Sequence, residues 1–272
     1  RLRRRIRSPD LRPHPRVLHW GADLGESTAA TAYALALTAS PAQLNNSPDI
    51  PRSFSALPTE YEGWSGTPAL SGHAQGRATT PRPRLVRHDV VIPSDGVGGR
   101  IALEFEDEVC GIRTELRYHL DAHGVLAVDA SLTRAAELSP RIGDTAYTVG
   151  AFLALLPLPE RATEILDFTG KWCRERSPQR SPFGFGTHLR SAHRGKPGHD
   201  SPFLFAAGTE GFGFGHGEIW AVHLAWSGEQ QYLAERLPEG AGAFSSVLGA
   251  GEDLHPGEII LEDGDRYDAP TA

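Results

Sequence analysis

The sequence predicts an all-β domain in which antiparallel sheets pack face to face. Three observations support this fold class. Apolar and polar residues alternate over many short segments, 30 glycines and 21 prolines separate those segments, and only one segment has the pattern of a helix. Strands do not alternate with helices, which argues against a parallel α/β sheet. A chain of 272 residues can form one large β-sandwich, so we expect a single domain over residues 1–272.

The individual elements follow from the same patterns. Residues 27–39 are the predicted helix, with Ser27 as its N-cap and Pro41 as its stop. Residues 41–83 and 171–202 contain many Pro, Ser and Gly without periodicity, and each is predicted to be a long irregular segment. Strands are predicted at residues 84–93, 100–106, 112–120, 125–133, 147–156, 164–168, 203–207, 218–226, 230–237 and 258–262.

Alternation within the central strands also predicts which side chains form the core. Residues two apart on a strand face the same side of the sheet. We therefore expect five apolar side chains of two neighbouring strands to point inward, namely Leu103, Phe105, Leu116, Tyr118 and Leu120.

Charge limits the partners of the domain. Seven arginines and one aspartate lie within the first 16 residues, whereas the whole chain has a net charge of −7, so the body of the chain is acidic. An acidic body repels nucleic acid and membrane surfaces, and we expect the basic arm to be a solvated end or an edge strand. The longest apolar stretch, residues 149–158, is far shorter than the ~20 residues of a membrane helix. We expect a soluble domain that binds neither nucleic acid nor a membrane.

The two cysteines and the missing methionine give further expectations. Cys110 and Cys173 have no metal-ligand spacing, and we expect two buried free thiols. Nothing indicates an oxidising compartment, so we expect a cytoplasmic location. The chain contains no Met, even at position 1, so we expect it to be a piece of a longer protein.

Four short sequence motifs resemble those of a known family. They are HWGADLG at residues 19–25, FTGKWCRERSPQR at 168–180, GHDSP at 198–202 and VHLAWSG at 222–228. Their order and spacing resemble the N-terminal domain of actinobacterial family 36 α-galactosidases over residues 16–262. This resemblance implies a two-sheet, galactose-mutarotase-like β-supersandwich that precedes a (β/α)₈ barrel and a small C-terminal β-domain, often in oligomers. It implies α-galactoside sugars, the barrel and further copies of the chain as partners, and no cofactor or metal.

The resemblance also implies that the hydrolytic residues lie outside this chain. Retaining glycosidases use two carboxyl groups about 5–5.5 Å apart, and both belong to the barrel in this family. Lys171-Trp172-Cys173 lacks the carboxylate of the nucleophile motif. We expect no catalytic residue here, no activity from this segment alone, and a role in assembly and in shaping the pocket. Two alternatives remain open at this stage, a free-standing carbohydrate-binding module and a scaffold without a ligand.

Residues 57–81 are the candidate sugar-contacting loop. An aromatic ring on a glycine-rich loop can stack on the apolar face of a sugar, and the resemblance implies that this loop approaches a sugar pocket, sometimes that of an adjacent subunit. The candidate contacts are Trp64, His73 and Arg77, with the alternative that Trp64 only packs against the core. Ala78 stands where the family often has Asp.

Two other motifs have structural interpretations. His199 and Asp200 precede Ser201, but neither a nucleophile elbow nor a metal-binding helix accompanies them. The resemblance implies that both belong to a structural loop in which His199 is hydrogen-bonded. The glycine-rich residues 211–217 run into a strand, which argues against a phosphate site at a helix N-terminus.

Overall fold

The computed structural model describes residues 14–19, 21, 24–25, 28–39, 54–139, 141–200, 204–241 and 244–272. Within these residues the chain forms sixteen β-strands, one α-helix and two short 3₁₀ helices. The all-β fold class predicted from the sequence is therefore confirmed. The N-cap predicted at Ser27 and the helix stop at Pro41 lie outside the described residues.

The elements have the following bounds in chain order: α1 (Ala29–Ala39), a 3₁₀ helix (Glu60–Glu62), β1 (Leu70–His73), β2 (Arg84–Val91), β3 (Gly99–Asp107), β4 (Ile112–Leu120), β5 (Leu126–Arg134), a second 3₁₀ helix (Ala136–Leu138), β6 (Tyr147–Phe152), β7 (Ala154–Leu158), β8 (Glu164–Lys171), β9 (Arg174–Pro182), β10 (Gly186–Ser191), β11 (Phe205–Gly208), β12 (Ile219–Val222), β13 (Gln230–Ala241), β14 (Phe244–Glu252), β15 (Ile259–Leu261) and β16 (Arg266–Ala269).

Hydrogen bonding groups the described strands into four antiparallel sheets. Sheet I has the order β16-β5-β4-β3-β2, and sheet II has the order β1-β6-β15. Sheet III has the order β10-β13-β14-β7, and sheet IV has the order β12-β11-β8-β9. Consecutive strands pair as hairpins along most of sheet I.

Two hydrophobic cores share sheet III. Alternate residues of its central strands face opposite sides, so Leu233 and Val247 belong to a first core with sheets I and II. Tyr232, Ala234 and Leu248 belong to a second core with sheet IV. Because both faces of sheet III are buried, its side chains fix the positions of the layers on either side.

Four predicted inward residues are at least partly buried and one is not. Leu103, Phe105 and Leu116 are buried, and Tyr118 is half-buried with its hydroxyl donating to Ala56 O at 3.1 Å. Leu120 is 42% exposed, so that prediction is wrong. It faces the same side of β4 as Leu116, but it pairs with Gly99 at the end of the sheet, beyond the residues of the first core.

Residues 171–202 are not one irregular loop. They contain β9 and β10, which periodicity missed because both strands consist mainly of polar residues and neither contains a fully buried one. Residues 147–156, predicted as one strand, contain β6 and part of β7, which join different sheets. The sequence analysis also missed β1, β14 and β16.

The cysteine prediction is half right. Both thiols are free, as expected. Cys110 is buried, but Cys173 is exposed because it lies in the two-residue turn between β8 and β9.

Candidate functional site

The candidate loop, residues 57–81, is held to the sandwich by one buried carboxylate. Glu235 of β13 accepts hydrogen bonds from Thr67 N at 2.7 Å, from Thr67 Oγ1 at 3.2 Å and from Thr187 Oγ1 of β10 at 2.7 Å. A Cβ atom on Gly66 would lie 2.3 Å from Glu235 Oε2, so only glycine allows this close approach. Sheet III therefore fixes the middle of the loop.

Trp64 is part of this anchor. Its side chain is only 7% exposed, and its indole packs edge-on against Phe54 with 5.3 Å between ring centroids. The indole Nε1 donates to Thr67 O at 2.9 Å. This geometry favours the packing alternative, because the ring presents no open face on which a sugar could stack.

Tyr61 is the aromatic residue that the loop exposes instead. The 3₁₀ helix at Glu60–Glu62 turns Tyr61 outward, where the guanidinium of Arg82 lies 5.0 Å from its ring centroid. The same turn directs Glu62 inward, where its carboxylate lies 3.0 Å from His14 Nδ1 and 3.3 Å from Arg16. Irregular backbone has no period, so no pattern in the sequence predicts that Tyr61 rather than Trp64 is exposed.

His73 and Arg77 lie together at the exposed tip of the loop. Ala74 and Arg77 exchange two backbone hydrogen bonds of 2.8 Å across a tight turn, and His73 Nδ1 accepts from Gly76 N at 3.1 Å. Both side chains are exposed, which leaves the imidazole Nε2 and the guanidinium available to a ligand. The structure therefore brings together two of the three predicted contacts and separates them from Trp64.

Ala78 has a left-handed backbone with φ of +51°, where asparagine and aspartate are better tolerated than alanine. Its carbonyl accepts a hydrogen bond from Cys110 Sγ at 3.2 Å. Nearby, Asp107 accepts from Val109 N at 2.7 Å and from Cys110 N at 2.8 Å. Burial raises the pKa of Asp107, and these backbone donors oppose that shift. These buried hydrogen bonds connect Ala78 of the loop to the turn between β3 and β4.

His199 and Asp200 lie on the β10–β11 loop, far in sequence from residues 57–81. Asp200 Oδ2 lies 2.9 Å from Arg194 Nη2. The backbone carbonyl of Asp200 accepts a hydrogen bond from the Arg190 guanidinium at 3.0 Å. His199 packs edge-on against Trp172, with 5.9 Å between the ring centroids. The interactions of Asp200 are those of a residue that holds a loop in place.

Within the described residues, no group of three or more His, Cys, Asp or Glu side chains could hold a metal ion. The described part of the chain also has no helix long and apolar enough to cross a membrane.

The described residues thus form a β-sandwich domain, in which antiparallel sheets pack around two cores and an anchored loop exposes polar side chains. The chain belongs to the glycosyl hydrolase family 36 N-terminal domain family, whose model matches residues 13–262.

Individual relatives agree with this assignment. The chain is 28% identical over 228 residues to an alpha-galactosidase of Escherichia coli, in a match that covers 84% of this chain and 30% of the relative. The alpha-galactosidase of Lactobacillus brevis has the same fold, with a TM-score of 0.69 at 17% identity over 85% of this chain and 32% of that one. A variant of the GH36 alpha-galactosidase AgaA from Geobacillus stearothermophilus, solved in complex with raffinose, has a TM-score of 0.64 at 16% identity over 76% and 29%. The chain thus spans about a third of the length of these relatives.

Proposed function

We propose that this chain works as the N-terminal domain of an α-galactosidase that releases terminal α-linked galactose from oligosaccharides. The observation that carries the proposal is the family match over residues 13–262. The alpha-galactosidase of Escherichia coli, similar over most of this chain, supports the same activity. In this proposal the two carboxyl groups of the retaining reaction lie in a (β/α)₈ barrel outside residues 1–272.

Ion pairs of two carboxylates, Glu164 and Glu218, support a non-catalytic role for these residues. Glu164 pairs with Arg180, and Glu218 pairs with Arg161, and in both cases the pairing lowers the pKa of the carboxyl group. A general acid needs a raised pKa to hold its proton near neutral pH. Glu164 instead joins β8 to β9, and Glu218 joins the start of β12 to the turn between β7 and β8.

The sandwich would shape the sugar pocket through the tip of residues 57–81. Its middle is fixed by Glu235, so His73 and Arg77 are presented on a rigid support. Positioned donors of this kind orient the hydroxyl groups of a neutral sugar. We propose that they contact the substrate, in the same polypeptide or in a second copy of a homo-oligomer, and that the enzyme is cytoplasmic.

The activity is tested by expressing the complete reading frame that encodes this chain and assaying chromogenic α- and β-galactosides. We expect hydrolysis of the α-galactoside alone. Hydrolysis of the β-anomer alone, or of neither substrate by a folded enzyme, would reject the proposal.

The loop is tested in the same enzyme with His73→Ala and Arg77→Ala. Each variant should raise KM for raffinose about fivefold, the value of one lost hydrogen bond, with little change in kcat. Arg117→Ala removes an exposed arginine on β4 and is the matched control, for which KM should not change. If KM of both loop variants equals that of the control, the tip does not contact substrate.

A further inference from the structure

Two of the four sequence motifs that resemble the family, residues 168–180 and 198–202, meet at one exposed tryptophan. Trp172 lies in the turn of the β8–β9 hairpin, and its side chain is 77% exposed. His199, 27 positions later in the sequence, packs edge-on against it at an interplanar angle of 69°. The indole therefore keeps most of its surface exposed while His199 supports its orientation.

The support beneath Trp172 is tightly packed. A Cβ atom on Gly170 would lie 2.3 Å from Arg174 O and 2.9 Å from His199 O, so the hairpin and the His199 loop touch through their backbones. Arg190 donates to both Phe168 O at 3.4 Å and Asp200 O at 3.0 Å, which joins β8 to the same loop. The hairpin tip cannot move independently of its neighbour without breaking these contacts.

The backbone of the tip is strained at two residues that are not glycine. Cys173 has φ of +65°, and Arg176 has φ of +55° where β9 carries one extra residue relative to β8. Each such conformation costs on the order of 1 kcal/mol, and residues of this kind cluster at ligand sites. Here they lie on either side of Glu175, the second residue of β9.

Glu175 and His199 supply polar groups beside the indole. Glu175 Oε1 accepts from Cys173 N at 2.9 Å and lies 3.9 Å from His199 Nδ1. Hydrogen bonds from backbone N–H groups lower the pKa of Glu175, which keeps the carboxylate ionised. An open indole face, an ionised acceptor and an imidazole on neighbouring loops match what a sugar ring offers, namely an apolar C–H face and hydroxyl groups at its rim.

We infer that Trp172, Glu175 and His199 form a binding site for a neutral sugar, separate from the tip of residues 57–81. The indole stacks on the C–H face of the ring, Glu175 accepts from hydroxyl groups, and His199 contacts a further hydroxyl. The choice of an α-galactoside as ligand rests on the proposed function, whereas the site itself rests on the contacts above.

The inference is tested with the 272-residue chain and raffinose, by calorimetric titration and by intrinsic tryptophan fluorescence. We expect saturable binding with Kd of about 1–10 mM, in the range of a single stacked ring with few hydrogen bonds. Trp172→Ala should weaken binding at least about tenfold and remove the fluorescence change, and Glu175→Gln should weaken binding about threefold or more. Circular dichroism checks that each variant is folded.

Phe185→Ala is the matched control, because Phe185 is 75% exposed just beyond the opposite end of β9. Its Kd should equal that of the unchanged chain. Binding should also change little between about 0.1 and 1 M salt, since the ligand is uncharged. The inference is overturned if the unchanged chain shows no saturable binding, if Trp172→Ala binds as the unchanged chain does, or if Phe185→Ala loses as much.

These results are independent of catalysis. If the complete enzyme hydrolyses no α-galactoside while the chain binds raffinose through Trp172, the proposed function fails and the sugar site stands. If hydrolysis occurs but Trp172→Ala leaves binding unchanged, the site fails and the proposed function stands.

Discussion

Arg134 at the end of β5 is the largest fully buried side chain of the described residues. Its guanidinium donates to Thr145 O at 3.0 Å, to Gly143 O at 2.6 Å and to Gly111 O. One cation thus satisfies three carbonyl groups on two loops. Loss of these donors leaves buried acceptors without partners, which is among the costly effects of a single substitution.

Arg134→Met should therefore lower the free energy of unfolding by about 3 kcal/mol, measured by urea denaturation. Methionine keeps much of the apolar volume, so the loss would reflect the hydrogen bonds. Arg117→Met on the neighbouring strand β4 is the control, and its effect should stay within about 0.5 kcal/mol because its guanidinium is exposed. A loss below 1 kcal/mol for Arg134→Met would show that the three carbonyls find water instead.

Tyr232 gives a prediction about alkaline pH. Burial raises the pKa of Tyr232 to about 12, against an opposing hydrogen bond from Leu224 N. A phenol with a raised pKa in the folded state stabilises the fold fully below its unfolded pKa near 10, and this stability is lost as pH rises through 12. The unfolding free energy should fall by about 2 kcal/mol from this group over that range.

Tyr232→Phe should flatten the fall of stability between pH 10 and pH 12, whatever its effect at pH 7. Tyr61→Phe, which changes an exposed phenol, should leave the slope as it is. Equal slopes for all three proteins in urea titrations would contradict the assigned cause.

At the candidate site, the sequence predicted only part of the geometry of residues 57–81. Glycine, proline and isolated aromatics identified residues 57–81, and His73 and Arg77 are exposed at its tip. Trp64 is buried and Tyr61 is exposed in a loop that Glu235 anchors through Thr67, and Glu235 and Thr67 are 168 positions apart in the sequence. A hydrogen bond over that distance leaves no local pattern in the sequence.

Among the elements, β1 shows how a glycine sets the register of a strand. A Cβ atom on Gly72 would lie 2.5 Å from Thr148 O and 2.6 Å from the hydroxyl of Tyr147. The pairing of β1 with β6 also shifts by one residue between Ser71 and Gly72. The strand that follows the loop anchor can therefore pair with β6 only if this position has no side chain.

Gly72→Ala should cost about 2–3 kcal/mol in urea unfolding, the range for overpacking a closed site. Hydrogen exchange should show faster exchange of the β1 amides. Gly184→Ala is the matched control, because nothing lies within 4 Å of the added Cβ atom there. A loss of stability for Gly72→Ala no larger than that of the control would mean that β1 can separate from β6 at little cost.

Strands β9 and β10 show why periodicity missed part of the fold. Every residue of β9 is exposed except Ser181, which is half-buried, so no apolar alternation marks the strand. What places β9 is its antiparallel pairing with β8, a contact between segments rather than a property of either. Strands β3, β4 and β5 could be predicted because one face of each has buried residues at alternate positions.

A repeated packing motif appears only in three dimensions. Phe183 and Phe212 are each buried beneath an arginine, with guanidinium carbons of Arg236 and Arg180 at 4.6 and 4.1 Å from the ring centroids. In both segments the sequence is Phe-Gly-Phe-Gly, and the second phenylalanine is exposed. A cation–π contact thus holds the β9–β10 loop and the β11–β12 loop in the same way.

On the scale of the whole molecule, sheet III joins the two cores into one unit. Its central strands bury Leu233 and Val247 on one face and Tyr232 and Leu248 on the other. A substitution in either core therefore acts on a sheet that the other core also needs. The family model matches residues 13–262, a range that includes strands of all four sheets.

The most direct test of the account is turnover of a chromogenic α-galactoside by the purified 272-residue chain, beside the complete enzyme at equal molar concentration. The central claim places the hydrolytic carboxyl groups outside this chain, and those positioned groups supply most of a glycosidase's acceleration. We predict rapid turnover by the complete enzyme and no turnover above the uncatalysed rate by the chain alone. Turnover by the pure chain that follows its concentration would contradict the account.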